Sequence, residues 1–219
     1  MVDCVSISTS HLFAGNPIYE QHRLRHESIV LRQSWNVPTI RNMEYDQYDN
    51  PAAYYLVWRD KTGKARGSSR LYPTDRPYML KEVFPHLVTK IPLPNSSEVW
   101  EGSRFCVDAS QAPQVRKRII QELVIGYLEF GLAQGVTSIV GVMFPAYCRN
   151  IFIRNGWDVE WIGDPSRSVE GHKIIAGSLT VSEAVLKKVR ETTGIYETVL
   201  NYGENVPSYG EKIRVLRAA

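Results

Sequence analysis

The sequence predicts an α/β fold in one domain, 1–219, with a mixed sheet covered by helices on both faces. Three observations predict it. Strand-like and helix-like segments alternate through the second half of the chain, the order that buries a sheet between helical layers. The longest helical segment, about twenty residues, lies between two apolar strand segments, and a crossover of that length suits parallel neighbours. Ahead of them, two strand segments joined by a four-residue turn add antiparallel strands.

The first helix is expected from Ile18 to about Arg32, with Leu24, Ser28 and Leu31 at helical spacing among charged residues, and Val37-Pro38 ends it. Asn36 to Pro51 has no clean period and reads as a loop carrying Glu44, Asp46 and Asp49. Ala52 to Arg59 and Ala65 to Tyr72 form a hairpin about Asp60-Lys61-Thr62-Gly63, where Gly63 supplies a positive φ. Pro73 to Pro94 contains five prolines and reads as a long excursion with one helical turn near Met79 to Val83. Ser97 to Asp108 is a third strand. Pro113 to Gln134 is the clearest helix, with Ile119, Ile120, Leu123, Val124, Tyr127, Leu128 and Leu132 on one face and Gly135 at its C-cap. Val136 to Val142 is a buried strand and Ala146 to Asn155 a helix closed by Gly156. Trp157 to Gly163 and Lys173 to Thr180 are later strands, and Ser182 begins a helix to about Arg190. The tail after Thr193 has no strong pattern.

Composition excludes several classes. With 43% hydrophobic and 22% charged residues, the 219-residue chain is neither disordered nor a disulfide scaffold. No stretch approaches a membrane span, and no basic-then-apolar leader opens the chain. Cys4, Cys106 and Cys148 are far apart and read as free thiols of a reducing compartment, so a cytoplasmic setting is expected. No cysteine pair has metal-ligand spacing, His26-Glu27 lacks the second histidine of a zinc helix, and no metal is expected. A net charge of +3 does not by itself imply nucleic acid. Locally, Arg116, Lys117 and Arg118 form a basic run, followed by Arg149 and Arg154, with only Glu122 and Glu129 as acids between Gln111 and Arg154. Such a face suits a phosphate-bearing ligand or an acidic carrier protein; the plain alternative is an ordinary solvated surface.

The third strand holds the strongest chemical signal. Alternation puts Val99, Glu101, Ser103, Phe105 and Val107 on one face, and Trp100, Gly102, Arg104 and Cys106 on the other. A carboxylate in an apolar row has a raised pKa and suits a general base; a structural ion pair with arginine is the alternative. The loop acids Glu44, Asp46 and Asp49 suit a cationic ligand or pairing with arginines. Arg25 and Arg70 are single arginines in half-buried segments, and Trp35 follows the first helix. Nucleophile-elbow, phosphate-loop and dinucleotide fingerprints are all missing.

Taken in order, Arg25, nine residues, Trp35, Glu44-x-Asp46-x-x-Asp49, Arg70-Leu71-x-Pro73-Thr74 and Glu101-x-Ser103-Arg104 resemble the LuxI-type acyl-homoserine-lactone synthases. The match runs from Arg25 to Arg104; beyond it the likeness lies mainly in the α/β pattern. Two departures stand out. Ile29 occupies a position usually held by Phe, and Ile139 to Met143 offers no Thr at its C-terminal end, which favours an acyl chain unsubstituted at the third carbon. The resemblance implies a GNAT-like three-layer α/β/α fold with antiparallel strands towards the sheet edges. It also implies an acyltransferase that joins an acyl group, from acyl-carrier protein or acyl-CoA, to the amine of S-adenosylmethionine. Lactone closure then expels methylthioadenosine, with both reactants as substrates and no tightly bound cofactor.

By the same resemblance Glu101, with Ser103 and Arg104, is catalytic, Glu101 taking the amine's proton through a water. Asp46 and Asp49 hold the sulfonium end or order the loop over it, with Glu44 in the same cluster. Arg25, Arg70 and Arg104 bind the carboxylate or fix the acids. Trp35 walls the adenosine or thioester, Phe105, Val142 and Met143 line the acyl tunnel, and Arg116, Lys117, Arg118, Arg149 and Arg154 dock the carrier or a CoA phosphate. Backbone N–H groups of a splayed strand stabilise the oxyanion. The rivals are an acetyl-CoA-dependent N-acyltransferase, disfavoured because Gln114 to Ile119 lacks the glycines of a pyrophosphate loop, and a non-catalytic S-adenosylmethionine or acyl-carrier binding protein.

Overall fold

The computed structural model describes residues 1–203; the expected single domain and unpatterned tail run to 219, and residues 204–219 lie outside the description. Strands and helices follow in the order β1 (Val2–Ser6), α1 (Pro17–Arg25), β2 (Thr39–Ile40), β3 (Met43–Glu44), β4 (Tyr54–Arg59), β5 (Ala65–Pro73), α2 (Met79–Val83), β6 (Val99–Val107), α3 (Pro113–Gln134), β7 (Ser138–Met143), α4 (Pro145–Ile151), β8 (Glu160–Trp161), β9 (Ser166–Arg167), β10 (Lys173–Thr180), α5 (Glu183–Thr193) and β11 (Leu200–Asn201). One sheet runs β11-β1-β4-β5-β6-β7-β10-β8, with β9 on β10, while β2 and β3 form a separate hairpin. β6 and β7 are parallel, as the α3 crossover requires, and so are β1 and β11; the remaining pairs are antiparallel.

Helices α3, α4 and α5 cover one face and α1 the other, giving three layers. The α3 face is a core of Ile119, Leu123, Val124, Tyr127 and Leu128 against Leu56, Leu71 and Ile139. Each such fully buried aliphatic side chain contributes roughly 1.5–3 kcal/mol. The opposite core packs Leu24, Ile29, Tyr55, Tyr72, Tyr78 and Leu80 on the same sheet. Helix α3 ends as expected, on Gly135 at φ 70°.

Four features depart from the sequence reading. The first helix does not continue as α-helix past Arg25: His26–Arg32 is a π-helical turn, a local widening found mostly at functional sites. The loop 36–51 contains the β2–β3 hairpin. Strand β1 has no strand signature in the sequence, because Asp3 and Ser6 break its apolar run, yet all five residues are buried between β11 and β4.

The fourth correction concerns β6. Its pairing with β5 slips between Ser68 and Arg70, opposite Ser103 to Cys106, and Arg104 has φ 56°. This bulge inserts one residue and inverts the alternation beyond it. Phe105 and Val107 therefore face the α3 core, and Cys106 packs in the opposite one. Arg104 turns to the same side as Glu101 and Ser103.

Candidate active site

The site is built on β5, β6 and the loop ahead of β4. The Arg70 and Arg104 guanidinium groups converge there with Arg25 from α1. Arg25 is fully buried and forms a bidentate pair with Asp49 at 2.7 and 2.8 Å, while its Nε side meets Glu44. Arg70, also fully buried, reaches Asp46 at 2.5 Å, Asp49 at 3.1 Å and the Ser103 hydroxyl at 3.1 Å. Arg104 reaches Asp46 at 2.7 Å and Glu44 at 3.0 Å. Three arginines thus meet three carboxylates, and the formal charges cancel.

The loop acids are therefore committed to arginines, the second of the two expectations for them. Burial alone would raise the Asp49 carboxyl, but Arg25 and Arg70 override it and hold it well below the ordinary range. Burial likewise disfavours a charged Arg25, and Asp49 and Glu44 outweigh that by raising its pKa. The acids also shape their own loop: the Asp49 carboxylate accepts from the Asp46 N–H, and the Asp46 carboxylate from the Tyr48 N–H. Tyr55, which the sequence did not single out, donates to Asp49 at 2.9 Å. A left-handed arginine costs on the order of 1–3 kcal/mol, and at Arg104 it is retained by two carboxylates.

Glu101 is fully buried, and its two oxygens accept from the backbone N–H groups of Leu80 at 2.6 Å and Met79 at 3.2 Å. Desolvation pushes its pKa up to about 7 against the opposing pull of Arg70 and those N–H groups. It thereby ties the start of α2 to the sheet. Met79 in turn accepts from Arg104 through its sulfur at 3.2 Å.

Strands β6 and β7 pair only as far as Glu101 and Val140 and then part. Glycines allow the close approach at the fork: a Cβ on Gly141 would stand 2.5 Å from the Gly102 carbonyl oxygen, and one on Gly102 would stand 2.8 Å from the Tyr127 ring. The gap opens into a cavity of about 340 Å³. Asp46, Ser103, Arg104, Trp35, Phe105, Val142 and Met143 all line it, as does Ile29. Glu101 is not among the lining residues; it lies behind Met79 and Leu80. Trp35 lies parallel to Phe144 at 5.9 Å and beside His172 at 4.8 Å. Phe144 and His172 were not singled out from the sequence, and neither has a pattern there that sets it apart.

The basic residues fall in two groups, one at the start of α3 and one on and just after α4. Arg118 is paired with Glu122 and Glu197. Arg116 and Lys117 lie near the start of α3, and Arg154 is exposed beyond α4. Arg149 lines a shallow pocket with Lys173 and His172 that shares Phe144 with the cavity.

At 11% identity, the chain matches FeeM, an N-acyl amino acid synthase from uncultured soil microbes, with a TM-score of 0.54 over 82% of this chain and 96% of that one. A three-layer arrangement whose central sheet forks around an apolar cavity, with this likeness, defines a GNAT-like fold. Within that class the chain belongs to the autoinducer synthase family, whose model matches residues 10–189. An acyl-homoserine-lactone synthase of Pseudomonas aeruginosa is 33% identical over 179 residues, 80% of this chain and 85% of the relative. An isovaleryl-homoserine lactone synthase of Bradyrhizobium diazoefficiens is 30% identical over 211 residues, 93% of this chain and 90% of the relative. Among solved structures, the CoA-dependent acyl-homoserine lactone synthase BjaI with MTA matches at TM-score 0.82 and 26% identity, covering 100% of this chain and 99% of that one.

Proposed function

We infer that this chain is an acyl-homoserine-lactone synthase that takes an acyl group from a coenzyme A thioester and gives it to the α-amine of S-adenosylmethionine. One observation carries the reading: the neutral interlock of Arg25, Arg70 and Arg104 with Glu44, Asp46 and Asp49 presents Asp46 and Arg104 to an apolar cavity at the β6–β7 fork. A zwitterionic amino acid finds fixed charges there, and an acyl chain finds an apolar path beside them. The chain's likeness over its whole length to a structure described as CoA-dependent supports the CoA donor.

In this reading the deprotonated amine attacks the thioester carbonyl carbon; an N–C bond forms, the C–S bond breaks and CoA leaves as the thiol. Of the two protons the ammonium sheds, one departs on that thiol and the other passes through a water to Glu101 and then to solvent. A carboxyl poised at about 7 accepts a proton near neutral pH. Backbone N–H groups of the parted strands stabilise the oxyanion. The homoserine carboxylate oxygen then attacks the γ-carbon, and the C–S bond breaks as methylthioadenosine leaves with the electron pair. The carboxylate and sulfonium charges vanish together.

Arg104 orients the carboxylate of S-adenosylmethionine and Asp46 its ammonium group, while Arg25, Glu44, Asp49, Arg70 and Ser103 fix that wall. Trp35 walls the adenosine or thioester. Arg149, Arg116, Lys117 and Arg154 are the cations for CoA phosphates; Arg118 is already paired. No helix among the described residues is long and apolar enough to cross a membrane, and both substrates are made in the cytoplasm, where we place the enzyme. The test is incubation with S-adenosylmethionine and acyl thioesters, on CoA and on carrier protein, followed by mass spectrometry. Methylthioadenosine with a matching acyl-homoserine lactone is expected. Acyl transfer without methylthioadenosine would assign another amine acceptor.

A further inference from the structure

The cavity does not stop at the charged wall. It passes through the fork to the α3 side of the sheet, where Phe105, Tyr127 and Phe152 line it. Their rings stand at 6.1 to 6.2 Å from one another, the two pairs involving Phe152 edge-on. Those separations are contact distances for aromatic pairs, so the three rings form one continuous floor, flanked by Val159 and Leu179 in the cavity lining. Trp157 backs it, edge-on to Phe152 at 5.7 Å and to Tyr127 at 6.3 Å.

The floor is also fixed. The Tyr127 hydroxyl bonds the Ser69 hydroxyl, which donates to the Ser103 carbonyl. The Trp157 indole N–H donates to the Thr180 carbonyl at 2.8 Å. Tyr127, Phe152 and Trp157 are all buried. A ring held at its polar end and packed on its edges does not swing aside cheaply, because core shape changes force neighbours off their rotamers. The cavity as a whole, about 340 Å³, lies near the lower end of small-molecule sites, roughly 300–1,000 Å³. Part of it serves the amino acid substrate.

Resting on the function proposed above, we propose that this enzyme selects a compact acyl group, branched or aromatic, that ends against the Phe105–Tyr127–Phe152 floor, and that Phe152 sets the length limit. Neither phenylalanine of the floor carries a side-chain hydrogen bond; Phe105 lies within β6 beside the bulge, whereas Phe152 stands at the C-cap of α4. Its truncation opens space without disturbing the Tyr127 and Trp157 anchors.

The experiment compares kcat/KM for isovaleryl-, benzoyl-, hexanoyl- and decanoyl-CoA with S-adenosylmethionine, reading methylthioadenosine release, for wild type, Phe152→Ala and Phe152→Leu. A single unaccommodated methylene shifts selectivity by roughly tenfold or more, so wild type should favour the compact donors over decanoyl-CoA by at least that. Phe152→Ala should erase most of that preference, and Phe152→Leu, the variant kept in case the larger truncation does not fold, should reduce it. Isovaleryl against benzoyl separates branched from aromatic donors. Equal use of decanoyl-CoA by wild type, or an unchanged ratio in a folded Phe152 variant, overturns the proposal and leaves the synthase reading standing. No methylthioadenosine from any donor, on CoA or carrier protein, overturns the synthase reading and this proposal with it.

Discussion

The two faces of the sheet are built on opposite rules. On the α1 face, six charged side chains from α1, the loop after it, β5 and β6 satisfy one another, and each has a fixed partner. On the α3 face, apolar side chains fill space, and any set of similar volume fills it about as well. The charged face is therefore intolerant of a change in residue type, and the apolar face tolerates one that keeps size and shape. The cavity joins them at the β6–β7 fork, so in the function proposed above the chemistry falls under the first rule and acyl selection under the second.

The largest effect that tests this contrast is Arg25→Ala. Removing one partner of a buried ion pair costs about 3–5 kcal/mol, because Asp49 and Glu44 remain buried without Arg25. Urea denaturation should show a loss of that size, and a loss below about 1 kcal/mol would erase the contrast. Acid should attack the same face. The Asp49 carboxyl is depressed in the folded protein, so its stabilisation is complete above the ordinary carboxylate range and lost as pH falls through and below that range. Asp49→Asn should flatten that acid limb.

Glu101→Gln comes next. Turnover should fall by roughly a hundredfold with S-adenosylmethionine binding retained. The wild-type kcat/KM should rise with pH up to about 7 as the carboxyl ionises, and this limb should vanish in the variant. A variant with near-normal turnover and raised KM would instead limit Glu101 to holding α2 on the sheet. On the apolar face, Leu123→Met should cost under about 1.5 kcal/mol, though Leu123 is as buried as Arg25. Smallest is Tyr127→Phe, which removes the link to Ser69 and should cost about 1 kcal/mol; a thermal melt measures it.

The same contrast decides what could be read from the chain. The charged face was legible by residue, since Arg25, Glu44, Asp46, Asp49, Arg70, Glu101 and Arg104 are types that burial forces into partnership. Their pairing was left open because the choice depends on three-dimensional neighbours. The apolar face was legible only as pattern: α3 and β10 were bounded correctly by their periods, Phe105 was assigned to the acyl tunnel by resemblance alone, and nothing in Tyr127 and Phe152 marks them as a floor rather than ordinary core. Face assignment on β6 failed beyond Ser103 because a bulge has no period of its own. Within the basic run, Arg118 lies one helical turn from Glu122 and pairs with it, a partner the spacing itself offers.

That bulge makes Glu101 to Phe105 an indivisible unit of inheritance. Deleting one residue there would restore the ordinary zigzag and throw Arg104 across the sheet, away from Glu44 and Asp46. Inserting one would do the same to whatever followed. Substitutions can be explored one at a time along this strand, but its length between Ser103 and Cys106 cannot drift. A graft of the site onto another scaffold has to carry all five residues together, kink included.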